Sequence, residues 1–171
     1  MMLHRSPTGE VHLRAMVEHD IDVVVGLARG AELPHASRAS LEREFTLPFS
    51  CRQVAECHGR VIGYSIHWSL GDEADLHALA VVPDSRRQGV GRALLRGVLA
   101  AVGAGSCTLE VAEDNHAARA LYEECAFYLQ GRRPDYYGAG RSCLLLRHEA
   151  ARSAGEVVTS VGDKGFGIAG S

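Results

Sequence analysis

The sequence has no stretch of about 18 consecutive apolar residues, the length a membrane-spanning helix requires, so no membrane span is expected. Nor does it carry a cationic excess: 18 Lys and Arg stand against 21 Asp and Glu, a net charge of −3. Domains that grip nucleic acid by neutralising phosphates concentrate Lys and Arg, so no nucleic-acid partner is expected either. A mildly acidic surface suits a cationic substrate such as an amine or a basic peptide. Met1 to Glu10 lacks the apolar segment of a secretory leader. The five cysteines (Cys51, Cys57, Cys107, Cys125, Cys143) are odd in number and scattered, which suits reduced thiols and a cytoplasmic location. Cys51, Cys57 and His58 have no second ligand pair at a finger-like spacing, so no metal is expected and Cys51 and Cys57 read as buried on one strand face. No internal repeat occurs.

What is present is a chain of 171 residues, 46% hydrophobic and 23% charged, long enough for one substantial core. Val11 to Met16 reads as an opening strand and Ile21 to Ala28 as a helix capped by Asp20. A second helix is expected over Ser40 to Leu47, bracketed by Pro34 and Pro48. Arg52–Cys57 and Val61–Trp68, joined by His58-Gly59-Arg60, form a hairpin signal, and Asp75 to Val82 is a third β-rich run. Ala93, Leu94, Val98 and Ala101 then mark the apolar stripe of a helix that ends near Gly103. A strand over Thr108 to Ala112, a helix over Ala117 to Cys125 and strands over Phe127–Gln130 and Ser142–Arg147 complete an α+β (mixed α/β) domain around a mixed sheet. That domain is expected to span 1–149. Residues 150–171, rich in Gly, Ser and Ala, read as a flexible tail.

Between the third run and the helix lies Arg86-Arg87-Gln88-Gly89-Val90-Gly91-Arg92. Glycines admit a close backbone approach to an anion, and the free amides of a helix's first turn point at it. Arg86, Arg87 and Arg92 add guanidinium groups that pair with phosphate oxygens; the plainer alternative is a tight turn with solvated arginines. A Walker loop would end Gly-Lys-Ser/Thr, where this chain has Gly91-Arg92-Ala93. A dinucleotide fingerprint would place a third glycine at Leu94. Glu110 does lie near the distance of a ribose-binding acid, so Glu110 by itself leaves a nicotinamide ligand open.

Arg86-x-x-Gly89-x-Gly91, with Leu79-Ala80-Val81-Val82-Pro83, Leu109-Glu110-Val111, Asn115, Ala120-Leu121-Tyr122-Glu123, Phe127 and Arg132-Arg133-Pro134-Asp135-Tyr136-Tyr137, resembles the GNAT superfamily of N-acetyltransferases. Within it, the set is similar to the RimI-type branch, which acetylates the N-terminal alanine of a small-subunit ribosomal protein. The similarity is strong over Asp72 to Tyr137, weaker over Val11 to Tyr64, and absent from the tail. It implies a GNAT fold, a twisted mixed sheet of six to seven strands flanked by about four helices, with acetyl-CoA as cosubstrate and no metal. Carried over, the cofactor contacts fall on Leu79, Ala80 and Val81, on Arg87, Gln88, Gly89, Val90, Gly91 and Arg92, and on Asn115. The implied general base is Glu110 and the implied general acid Tyr122. The implied acceptor is a protein or peptide N-terminus, with a small-molecule amine or a catalytically idle acyl-CoA-binding module as rival readings.

Those roles suit the residue types. An α-amine with a pKa of about 8 is largely protonated near neutrality, and a carboxylate can take the proton that blocks its attack. Glu110 alternates with Leu109 and Val111, so it faces away from them; the plainer reading is a solvated strand glutamate. A phenol can protonate a departing thiolate, and Tyr122 lies seven residues after Asn115, about 10.5 Å along a helix and on the same stripe. On the residues alone, a core tyrosine is an equal alternative. The chain departs from the family at Ala112, Ala126, His35 and Ser142-Cys143, several of which fall where a peptide would be gripped. Tyr136 and Tyr137, before Gly138-Ala139-Gly140, could close over a substrate or simply cap a hairpin.

Overall fold

A computed structural model describes residues 3–6, 9–31, 33 and 37–150, with side chains from residue 9 onward. The strands are β1 (Leu3–Ser6), β2 (Gly9–Ala15), β3 (Ser50–Cys57), β4 (Arg60–Leu70), β5 (Glu73–Val81), β6 (Ser106–Ala112), β7 (Tyr128–Arg133) and β8 (Cys143–Glu149). The helices are α1 (Ile21–Gly30), α2 (Arg38–Thr46), α3 (Val90–Val102) and α4 (His116–Glu124). All strands join one sheet in the order β1-β2-β3-β4-β5-β6-β8-β7. The mixed α/β architecture with four helices is the expected one. Seven of the strands match expected runs, and β1 adds a short edge strand paired with β2.

The β3–β4 turn explains itself chemically. His58 and Gly59 both take positive φ, +50° and +74°, as the tight hairpin turn that suits sheet twist demands. Alternation then splits the sheet into two faces. Val54, Tyr64, Ile66 and Ala80 meet Ile21, Val24 and Leu41 of α1 and α2. Cys107, Leu109 and Val111, with Leu144 and Leu146, meet Leu95 and Val98 of α3 and Tyr122 of α4 on the other. The helices therefore sandwich the sheet, and the core has a layer on each side.

Two local expectations need correction. Asp20 precedes α1 but does not cap it with its side chain. Its buried carboxylate takes two hydrogen bonds from the Arg14 guanidinium, at 2.7 and 2.9 Å, and one from the Val17 amide at 2.9 Å. Arg14 holds that carboxyl well below its ordinary range, because a bidentate charged donor outweighs the cost of burial. Ser37 is the cap of α2, accepting from the Ser40 amide at 3.1 Å, which is why that helix starts before Ser40. Of the strand cysteines, Cys57 is buried but Cys51 only half-buried. His35 and residues 151–171 lie outside the described residues.

Candidate active site

Among the described residues, strands β5 and β6 are the one parallel pair, and they part company. Their pairing runs from Glu73–Ser106 only to Leu76–Leu109. Beyond it β5 continues beside β4 alone, to Gly63–Val81, and β6 beside β8 alone, to Ala112–Cys143. The Val82 amide donates to the Ile62 carbonyl at 2.9 Å. By alternation, Ala80 and Ala78 also bond toward β4, so the main-chain groups of Leu79 and Val81 face the gap. The Val81 carbonyl there accepts from Arg86 Nε at 3.0 Å.

The gap widens into a cleft of about 750 Å³. Leu79, Glu110, Asn115 and Tyr122 line it, together with Tyr137 and the end of α1. Four of the sequence-predicted site residues thus share one cavity. Glu110 faces the side of α1, opposite to Leu109 and Val111, as alternation predicts, whereas Tyr122 enters from the α3–α4 side with Leu109 and Val111. The two sit on opposite walls.

The glycine loop stands at the end of β5. Arg87 and Gly89 both take left-handed φ, +59° and +83°, and Gly89 is the N-cap residue of α3. The first-turn amides after it have no intrahelical acceptor. A Cβ at Gly91 would meet Leu121 Cδ2 at 3.2 Å, with Leu79 and Val81 both at 3.8 Å. The loop is thereby packed between the cleft strand and α4. The three arginines do not converge as expected. Arg92 pairs with Glu124 on α4 and Arg86 with the Val81 carbonyl. Arg87 is exposed and has no ion pair among the described residues.

Asn115 is the N-cap of α4, its side-chain oxygen accepting from the Ala118 amide at 3.1 Å. That leaves its amide N–H₂ as the group open to a ligand. Tyr122 is 7% exposed and lies 5.7 Å from the Phe127 ring. Burial pushes its phenol up to about 12, since an apolar surround disfavours the phenolate.

Glu110 has contacts that no linear reading exposed. Arg133 Nη1 lies 2.7 Å from its Oε1, and Cys143 Sγ 3.7 Å from its Oε2. Register is the cause: Glu110 faces Leu145, and Cys143, two residues along β8 on the same face, faces Arg133 of β7. Burial raises the Cys143 thiol above its ordinary range, with Glu110 adding to the effect. The Tyr137 phenol, bonded to Cys143, is pushed up to about 12, chiefly by burial. Arg132 of β7 pairs with Glu113 at 2.8 Å, and Arg141 ties the β7–β8 loop to Asp114 at 2.9 Å. Ala126, where the family resemblance expects glycine, takes φ +62°, the conformation glycine adopts most easily.

A diverging parallel pair, main-chain groups turned into the gap, and a glycine-capped helix directly after the strand make a frame for a long, phosphate-ended ligand. Residues 21–127 match the acetyltransferase (GNAT) family. The chain belongs to that family of N-acetyltransferases. GNAT enzymes use acetyl-CoA, and the frame fits it: open strand edge for an amide-bearing arm, helix amides for phosphate. The chain is 36% identical over 117 residues to the N-alpha-acetyltransferase RimI of Mycobacterium tuberculosis, covering 66% of this chain and 74% of that protein. An uncharacterised protein of Mycobacterium leprae is 38% identical over 117 residues, 66% of this chain, but the chain spans only 33% of that relative's length. The solved ribosomal-protein-S18-alanine N-acetyltransferase of Escherichia coli shares the fold, with a TM-score of 0.77 at 24% identity over 86% of this chain and 98% of that one.

Among the described residues, no helix is long and apolar enough to cross a membrane.

Proposed function

We propose that this GNAT domain transfers the acetyl group of acetyl-CoA to a protein N-terminal amine, with Glu110 as general base and Tyr122 as general acid. The observation that carries this is the pair's placement on opposite walls of one cleft, the carboxylate facing α1 and the buried phenol entering from α4. When bound, acetyl-CoA supplies an activated acetyl thioester. Leu79 and Val81 would hold its arm along the open strand edge, while Ala80, expected from the sequence to join them, has its main chain turned toward β4 instead. The amides of Val90, Gly91 and Arg92, with Gln88, Gly89 and the Arg87 guanidinium, hold its phosphates, and Asn115 contributes its amide N–H₂.

Glu110 takes the proton the amine loses as nitrogen bonds to the acetyl carbon. Tyr122 gives the proton that sulfur gains as the carbon–sulfur bond breaks, so the transfer balances. A phenol at about 12 is a reluctant donor to an ordinary thiolate of about 8.5, uphill by roughly 5 kcal/mol. Arg133 occupies one oxygen of Glu110, so an arriving ammonium competes with a guanidinium for that carboxylate.

The ribosomal-protein alanine named for the relatives is the first acceptor to test. Thiol release is measured with peptides that vary the first residue, and with free lysine and polyamines beside them. Release with peptides above the small amines is expected; acetyl-CoA binding without release on any acceptor would overturn the reading.

A further inference from the structure

Beside the cleft lies a second cavity of about 420 Å³, between α2 and the α1–α2 face of the sheet. The two cavities touch, since Leu33, His77 and Ala78 line both. β4 presents Tyr64, Ile66 and Trp68 to it as alternate residues of one face, and Leu41 and Leu47 close it from α2 and its end. A register shift at Ile66/His67 interrupts the β4–β5 ladder where His77 enters the wall. Phe49, Tyr64, Trp68 and His77 bring four rings to the wall. Trp68 lies 5.1 Å from the Phe49 ring, edge-on, and 4.1 Å from the His77 ring.

Ser40, Arg43 and Glu44 add polar groups on the α2 side of the wall. Glu44 Oε2 already accepts from the Ser50 hydroxyl at 2.5 Å and from Trp68 Nε1 at 3.0 Å. Those bonds fix the indole in the wall. Tyr64 differs: its side chain is wholly buried, and its hydroxyl has no hydrogen-bond partner among the described residues. The Tyr64 ring therefore contributes apolar surface to the chamber, while its hydroxyl is closed off from it. An alanine methyl would leave most of such a volume empty.

We propose that this chamber is an acceptor-selecting pocket that takes a bulky apolar, preferably aromatic, side chain on the residue bearing the reactive amine. The proposal rests on the acetyl-transfer reading of the adjoining cleft. The walls favour that class because burial of apolar surface drives entry and ring edges at 4–5 Å suit another ring. The shared wall of Leu33, His77 and Ala78 sets the chamber directly beside the transfer cleft.

Trp68 is the protein's one tryptophan, so its fluorescence reports the chamber without any turnover. Peptides identical except for a first residue of Ala, Leu, Phe or Tyr are titrated into the full chain with acetyl-CoA present. Saturable change in Trp68 emission is expected with Leu, Phe and Tyr, and at least tenfold weaker apparent binding with Ala. Thiol release should follow the same order in kcat/KM, and Leu47→Phe, which narrows the chamber, should erase the preference while acetyl-CoA affinity stays within twofold. Turnover on Ala equal to that on the bulky peptides, with no Trp68 response, overturns the proposal. A Trp68 response without thiol release on any peptide would instead uphold the pocket and remove the acetyl-transfer reading.

Discussion

Replacing Tyr122 by Phe removes one oxygen and keeps the ring that packs 5.7 Å from Phe127. No cavity of consequence opens, and no cofactor-holding backbone group is touched, so acetyl-CoA affinity should stay within twofold. Turnover should fall by about 10²–10⁴, the usual worth of a positioned proton donor, or roughly 3–5 kcal/mol of barrier. A second signature follows from the phenol's placement. It titrates near 10.0 when exposed and at about 12 in the fold, so the folded state keeps the proton longer. The stability this represents is intact below pH 10 and is lost as pH rises through 12, about 2.7 kcal/mol in all. Tyr122→Phe should lack that part of the alkaline slope. Tyr64, also pushed up to about 12, keeps its own share in both proteins, so the difference between them isolates Tyr122. Thiol-release kinetics, calorimetric titration with acetyl-CoA and urea unfolding at pH 9, 10 and 11 read these quantities. Turnover within threefold of the parent would remove Tyr122 from the acid role, whatever the stability data show.

Arg87→Ala should weaken acetyl-CoA binding by five- to tenfold in calorimetry with little change in turnover at saturation, whereas Arg92→Ala, already paired with Glu124, should do less; equal losses would undo the distinction. Arg133→Gln should lower the acceptor KM by up to about fivefold, since a half-exposed pair of this kind holds by no more than about 1 kcal/mol. A rise in KM would mean instead that Arg133 aims Glu110.

The elements with strong periodicity were legible before any coordinates: α3 from its apolar stripe, the β3–β4 hairpin from His58-Gly59, and Glu110 outward from alternation. The outward face of Glu110 followed from local alternation, whereas a site role for Tyr122 came from the family resemblance, since on the residues alone a core tyrosine was an equal reading. What stayed hidden depends on register between distant strands. Arg133 and Cys143 reach Glu110 from 23 and 33 residues away in sequence, through a ladder that no linear pattern discloses. Asp20 misled for a related reason. Its position before α1 suited a cap, but Arg14 is a stronger partner for a buried carboxylate than a helix amide. The two arginines drawn away from the loop were misjudged in the same manner, by partners on β5 and α4.

The parting of β5 and β6 carries an evolutionary corollary. Where recognition runs through main-chain amides and carbonyls, the identity of the side chain is spared from selection by that ligand. Leu79 and Val81 can drift among strand-forming residues while the hydrogen-bonding edge they present stays constant. The walls around the acceptor have no such freedom, because they act through side chains alone. Homologous lineages can therefore hold one donor site for long periods while trading acceptors quickly, and variation around Trp68, Tyr64 and Leu47 is where that divergence would be written.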